Sequence, residues 1–406
     1  MSWFPVFSQD TPGCTDPQAN NYDPLADYND GSCTYNLTIY SPVFQHLLPG
    51  EVEETSGLIY WADGLWTIND SGNDPVLFKL DTATGEIMQE ITVGNAENVD
   101  WEALAQDEDH IYIGDFGNNQ GNRDDLGIYI VAKEDIPTEG NSTADADHLT
   151  FTYEDFSVAP KSRKSNNFDC EALICIEDSL YLFSKNWGDQ QTKLYRLPKI
   201  PGDYEAELID QYDVSGLVTG ADYNREAKEI TLIGYTDNTF VPFFWLLFDY
   251  HENRLFSGNK RRIDMLNIAA TQTEAIAYTF EKQGAFTSES TALSEQAAYF
   301  FSTGTWTDSL PTGLSLLLKP KFEFMISPNP VEGNQIDLTL GALPAGDYVL
   351  ELYDSMGGLL QIRDYRLTTD RSRALISLQV GELKKGMYFV RLIFGSSYYE
   401  QKFIRL

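Results

Sequence analysis

The chain has 406 residues, of which 42% are hydrophobic and 13% aromatic, with 30 glycines. Its formal net charge is −34, from 62 acidic and 28 basic residues. Such a field repels nucleic acid and anionic membrane surfaces and favours cations. No apolar run reaches the roughly 18 residues of a spanning helix, and the aromatic- and glycine-rich composition points to many short strands joined by turns.

Residues 1–9, ending Phe7-Ser8-Gln9, read as the remnant of a signal peptide with a small-residue cleavage site before Gln9. The alternative is an apolar first strand. Residues 10–35 hold too few apolar side chains to bury a core, so something else must fix them. A Cys14–Cys33 disulfide would close a loop of about twenty residues, worth roughly 3 kcal/mol. Asp16, Asp23, Asp27, Asn29 and Asp30 are hard oxygen donors of the kind calcium takes. The other reading is a linker rich in Asx turns with no metal. The segment resembles a short module of exported Bacteroidota proteins, similar in look to thrombospondin type 3 calcium repeats.

Residues 36–320 repeat. Ser56–Tyr60, Trp101–Ala105 and Cys170–Ile174 each open a unit. A second run follows each of them (Gly64–Asp70, His110–Asp115, Ser179–Phe183), then a third and a fourth. Weaker copies open at Thr219 and Thr273. Four strands per unit at a spacing of about 45 to 70 residues is the pattern of a β-propeller blade. The expected fold is therefore an all-β, five-bladed propeller. Asn36–Tyr40 supplies the missing fourth strand of the last blade, which would remove the open edge. A sixth blade remains open because residues 305–320, including Leu314–Leu318, are hard to read. A pair of β-sandwiches is the rival fold. Cys170 and Cys175, five apart on one strand, are expected on opposite faces as reduced core residues.

In a propeller the first strand of each blade lines the axis. Glu102, Glu171 and Glu274 then ring the channel, with Gly57 and Gly220 at the same place in the other two blades. Asp70, Asp115 and Glu289 end second strands and should face the same mouth, where Lys185 replaces an acid. Asp100 and Asp169 precede two of the glutamates. Carboxylates gathered at low dielectric repel one another. They need a cation, a shared proton or basic partners. Calcium held by Glu102 and Glu171 is one solution, and Arg123 and Lys185 as counter-charges are another. Glutamates bonded to backbone amides are a third. Lys161, Arg163 and Lys164 read as a solvated loop, and Trp187, Trp245 and Trp306 as either core or sugar-stacking groups. No nucleophile elbow, zinc spacing, phosphate loop or dinucleotide fingerprint is present.

The segment Asn98–Ala105, with Gly114–Asn119 and Asn122-Arg123, resembles a group of exported propellers. It is distantly similar to the esterase-like phytase propellers, whose first strand reads Asp-x-Glu-Gly-Ile-Ala; here Ala103 stands in place of that Gly. This implies two alternatives, a calcium-stabilised propeller that binds an extracellular glycan or protein, or a hydrolase of phosphoesters or glycosides using axial carboxylates.

Residues 321–406 carry Ile326-Ser327-Pro328-Asn329-Pro330, Leu352-Tyr353-Asp354-Ser355-Met356-Gly357 and Leu383-Lys384-Lys385-Gly386-Met387-Tyr388-Phe389-Val390. These resemble the type A C-terminal sorting domain of the Bacteroidota type IX secretion system, with Gly358 where that family usually has Lys or Arg. The resemblance implies a small β-sandwich, handling by the secretion machinery, and a secreted or cell-surface destination. It also carries the chain to an oxidising compartment, where the Cys14–Cys33 bridge is expected.

Overall fold

The computed structural model describes residues 11–268, 270–291, 294–307, 324–331, 333–343, 346–354, 359–367, 371–394 and 397–406. The expected signal remnant, the Leu314–Leu318 run and the Gly357-Gly358 turn lie outside them. The chain forms two compact units, residues 1–309 and 310–406.

The first unit is a propeller of five four-stranded antiparallel blades. Their inner strands are Thr55–Trp61, Trp101–Gln106, Cys170–Ile176, Leu217–Asn224 and Thr273–Phe280. These lie side by side in a closed ring, with blade five against blade one. Burial explains the sequence pattern. Inner and second strands such as Cys170–Ile176 and Glu229–Tyr235 are buried throughout and read as unbroken runs. The outer strand Ala146–Tyr153 instead alternates buried and solvent-facing positions. The hairpin between the first two strands turns on Ala62 and Asp63, both at positive φ (50° and 57°), the twist that a tight two-residue connection needs.

Three expectations change. The strand that closes blade five is Val43–Leu47, antiparallel to Ala297–Ser302. Asn36–Tyr40 instead contributes Thr38-Ile39 in parallel to Ile263-Asp264 of blade four. The cause is the N-terminal module, which sits on blade four: the Asn29 amide donates to Asn259 Oδ1 (2.9 Å), and Arg261 donates to Gln18 Oε1 (2.7 Å). The chain leaves the module at that blade and reaches blade five only after Pro42. The fourth strand of blade four, Asn259–Asp264, was hidden in the basic run Lys260-Arg261-Arg262. Finally, Cys170 and Cys175 are free, as expected, but both enter the same core cluster between blades two and three. A β-bulge at Glu171 inserts one residue between them and reverses the parity.

The Cys14–Cys33 disulfide forms. The module around it is knit by Asx turns. Asp16 Oδ1 accepts from Gln18 N, Asp23 Oδ1 from Leu25 N, Asn29 Oδ1 from Gly31 N and Asp30 Oδ1 from Ser32 N, all at 2.9–3.0 Å. Asp27 Oδ2 caps Thr11 N (2.8 Å).

The second unit has a three-stranded sheet (Phe324–Ser327, Gln335–Leu343, Arg371–Gln379) and a four-stranded one (Leu359–Leu367, Gly346–Asp354, Gly386–Phe394, Ser397–Arg405). They enclose one core that includes Ile336, Leu338, Leu350, Leu352, Val390 and Phe403. Asn329 of the Pro-Asn-Pro turn accepts from Ile404 N and donates to Lys402 O, both at 3.0 Å, which ties that turn to the last strand. Tyr388 buries its ring and donates its hydroxyl to Lys384 O (2.8 Å).

Candidate functional site

Every inner strand carries the same β-bulge near its start. In each blade one residue is skipped by the register: Ser56, Glu102, Glu171, Thr219 and Glu274. A bulge re-aims its extra residue, and of the five in the ring Ser56, Glu102, Glu171 and Glu274 line one mouth of the channel, while Thr219 donates to Thr273 O. The positions equivalent to the glutamates are therefore Ser56 and Thr219. Gly57 and Gly220 instead match Ala103, Ala172 and Ala275, where neighbouring inner strands come close. A Cβ on Gly57 would stand 2.6 Å from Leu104 N, and one on Gly220 2.7 Å from Glu274 O.

The second strands correct the reading in the same way. Asp115 pairs with Trp101, the register that Asn69, Ser184, Gly234 and Ser288 hold in the other blades. The next residue along turns toward the mouth: Asp70, Lys185, Tyr235 and Glu289 line the cavity, and Asp115 does not. Asp115 is clamped by Arg123 instead (Nη2 to Oδ1, 2.9 Å). The same guanidinium reaches Asp125 Oδ1 and Gly117 O, each at 2.9 Å. Asp169 is equally occupied, accepting from Asn118 N and Trp187 Nε1, both at 2.7 Å.

What remains is a cavity of about 460 Å³ at the axial mouth. One side is acidic, with Asp70, Glu102, Glu274 and Glu289. The other is cationic and aromatic, with Arg163, Lys164, Lys185, Trp187, Tyr235 and Phe240. Lys185 is buried and holds Glu171 at 2.5 Å. Burial works against its ammonium, but Glu171, Tyr235 and Glu274 outweigh burial and raise its pKa well above the ordinary value. On the acidic side, burial and then Asp70 push Asp100 up to about 7. Burial, with Asp70 and Glu54 adding and Lys185 opposing, brings Glu289 to about 7. Burial first, and then neighbouring carboxylates, drive Glu102 and Glu274 well above the carboxylate range. Glu102 and Glu274 are 5% and 8% exposed.

Oxygen atoms of Asp70, Asp100 and Glu102 lie within 4.8 Å of one another, a spacing one cation could bridge. No other such group of three acids, histidines or cysteines occurs among the described residues, the N-terminal module included. Gly117 makes the approach possible, since a Cβ there would stand 2.4 Å from Glu102 Oε1 and 2.5 Å from Asp100 Oδ2. Arg163 and Lys164 are exposed, as a solvated loop would be, and at the same time line the rim of the cavity. The Arg163 guanidinium lies 3.5 Å from the Trp187 ring centre, and Lys164 pairs with Asp237 at 2.8 Å. Trp245 and Trp306 are core. Tyr235, Phe240 and Gln272 had no signal in a reading keyed to acids. Ser56 and Thr219 could have been found by aligning the units on the small residue after the bulge.

Residues 325–405 match the secretion system C-terminal sorting domain family. That domain marks the chain for export by the type IX secretion system, to the cell surface or the medium. No helix among the described residues is long and apolar enough to cross a membrane. A stretch of 25 residues is 76% identical to part of the chloroplastic ribulose bisphosphate carboxylase/oxygenase activase of Spinacia oleracea, covering 6% of this chain and 5% of that protein. An exo-β-1,3-galactanase from Phanerochaete chrysosporium is structurally similar, with a TM-score of 0.39 and 9% identity over 93% of this chain and 98% of that one. A GH43_1 enzyme from Xanthomonas citri gives 0.38 and 13% over 65% and 90%. Neither likeness bears on the chemistry of the cavity. The molecule is an exported five-bladed propeller with a C-terminal sorting domain.

Proposed function

We propose that this propeller binds an extracellular ligand, a glycan or a protein, in the axial cavity, and that calcium at Asp70, Asp100 and Glu102 stabilises the cavity. One observation carries the reading. The bulges turn Glu102 and Glu274 into a buried cavity in which, among the described residues, neither carboxylate has a hydrogen-bond partner. A fold gains nothing from burying such groups unpaired. Calcium suits them because it accepts six to eight oxygens in flexible geometry, so ligand hydroxyls or carboxylates can complete its shell. The Glu171–Lys185 pair leaves Glu171 less available to a cation than Glu102.

A hydrolase is the second reading. Glu289, which lines the cavity and is brought to about 7 by burial, could give or take a proton there at neutral pH. Full-length protein tested against extracellular glycans and proteins, with calcium and with chelator, separates the two. Saturable binding that is lost with chelator and on Glu102→Gln supports the first. Product released over time, and abolished by the same substitution, moves the assignment to the second. Binding indifferent to both chelator and substitution overturns the axial site.

A further inference from the structure

The wall opposite the acids has two features that the calcium reading does not use. The first is Phe240. It lies at the rim, 38% exposed, with its ring stacked on Tyr235 (centroids 5.4 Å apart, planes 24° apart). Its φ is +46°, a conformation that a bulky side chain rarely adopts. A tight turn over-determines it. Phe240 N donates to Thr236 O (3.0 Å), Ala270 N donates to Phe240 O (2.8 Å), and Val241 N donates to Thr236 Oγ1 (3.0 Å). Left-handed strain held by surrounding bonds, with the strained ring presented to a cavity, is a pattern of ligand sites.

The second feature is Arg163. Lys185 is committed to Glu171 and Lys164 to Asp237. Arg163 has its guanidinium carbon 3.5 Å from the Trp187 ring centre and, among the described residues, forms no ion pair, Asp169 being the carboxylate its charge acts on. Contact with the ring face holds the guanidinium and leaves its donor edge free for a planar anion.

Resting on the reading of the axial cavity as a ligand site, we propose that the ligand is an acidic glycan. The apolar face of a sugar ring stacks on Phe240, and the ring's carboxylate takes the two parallel hydrogen bonds that Arg163 can offer. The chain's distant negative charge does not forbid this, because at physiological salt the field beyond about 8 Å is screened. The acids of the cavity itself outnumber its cations, so the contact relies on Arg163 together with calcium bound at the opposite wall.

Full-length protein is titrated calorimetrically, with calcium present, with galacturonate, glucuronate and mannuronate oligosaccharides and with their methyl esters. The acid of at least one type is expected to bind roughly tenfold or more tightly than its ester, the worth of a charged hydrogen-bonded contact. Arg163→Gln should erase that preference. Phe240→Gly, which suits the left-handed turn, should weaken acid and ester alike by roughly threefold to tenfold. Equal affinity for acid and ester overturns the inference, as does a preference that survives Arg163→Gln or the absence of binding across the panel. If glycan or protein binding that needs Glu102 persists in any of those cases, the axial-ligand reading stands and only the acidic-glycan assignment falls.

Discussion

Asp107 at one mouth of the propeller and the acids Asp100, Glu102, Glu274 and Glu289 at the other are buried carboxylates treated in opposite ways. At the far mouth, Asp107 lines a cavity of about 510 Å³. Its carboxylate accepts from Tyr112 Oη (2.7 Å), Lys199 Nζ (2.9 Å), Asp109 N (2.9 Å) and His110 N (2.8 Å). Burial alone would raise its pKa, but Lys199, Tyr112 and the two amides overcome burial and hold it far below the carboxylate range. At the near mouth, Asp100, Glu102, Glu274 and Glu289 are all raised, and one ammonium, already held by Glu171, is the buried counter-charge. Asp222, in the same far cavity as Asp107, accepts from Tyr278 N and is still pushed up to about 6 by burial, so the full pairing belongs to Asp107 and not to the whole far mouth. Asp107 thus meets the usual demand that buried charge be paired, and the near-mouth acids leave it open. An open demand is what a ligand or cation can fill.

The comparison breaks most sharply at Lys185. Lys185→Met strands Glu171 and should cost about 3–5 kcal/mol in chemical denaturation. Adding Glu171→Gln should recover much of that loss. At the far mouth, Asp107→Asn removes the charge from four satisfied hydrogen bonds and should cost about 1–3 kcal/mol by the same measurement.

Acidity should separate Asp107 from the near-mouth acids, with Asp222, pushed up to about 6 by burial, adding to the near-mouth trend. Asp100 and Glu289 have folded pKa values of about 7, above the roughly 4 of an unfolded carboxyl. Between those values the folded state binds more protons, so stability without calcium should rise as pH falls from 8 toward 5. Asp107 has the opposite shift. Its contribution is present above the unfolded value and is lost only as pH falls below about 4. A denaturation series across pH should therefore show a maximum on the acid side of neutral. Calcium should flatten the rise by keeping the near-mouth carboxylates ionised. Stability that is level or falling between pH 8 and 5 in chelator would contradict these shifts.

The smallest effect on folding should come from Gly117→Ala. The added methyl crowds the tips of Asp100 and Glu102, which can move. Stability without metal should change by less than about 1 kcal/mol, while calorimetric calcium affinity should fall roughly tenfold as the ligands separate.

Blade count, the first three strands of each blade, the disulfide and the sorting domain were legible in the sequence because each rests on local periodicity, spacing or an ordered set of motifs, whereas the outer strands of blades four and five were not. The axial ring was legible in kind and displaced in register. Glu102, Glu171 and Glu274 stood out as repeated acids, but Ser56 and Thr219 were missed by one residue, and Asp115 was assigned to the mouth by the same error. A β-bulge shifts side-chain parity without leaving a residue type that marks it. The cationic wall was illegible for another reason: Arg163, on the connection between blades two and three, and Tyr235 and Phe240, at the end of a blade-four strand and the turn after it, share a cavity only in the folded ring. For the N-terminal oxygens the sequence leaves calcium and Asx turns both open, because the two draw on the same residues, and the Asx turns form.

The central claim is that the near mouth holds a cation. Thermal unfolding of the full chain with calcium and with chelator, for wild type and Glu102→Gln, tests it most directly. Calcium at about a hundred times its dissociation constant should stabilise the wild type by about 2.7 kcal/mol. That is a rise of roughly 5 °C or more in Tm, absent in Glu102→Gln. Coincident unfolding curves for the wild type in calcium and in chelator would contradict it and leave the near-mouth acids as proton-sharing groups.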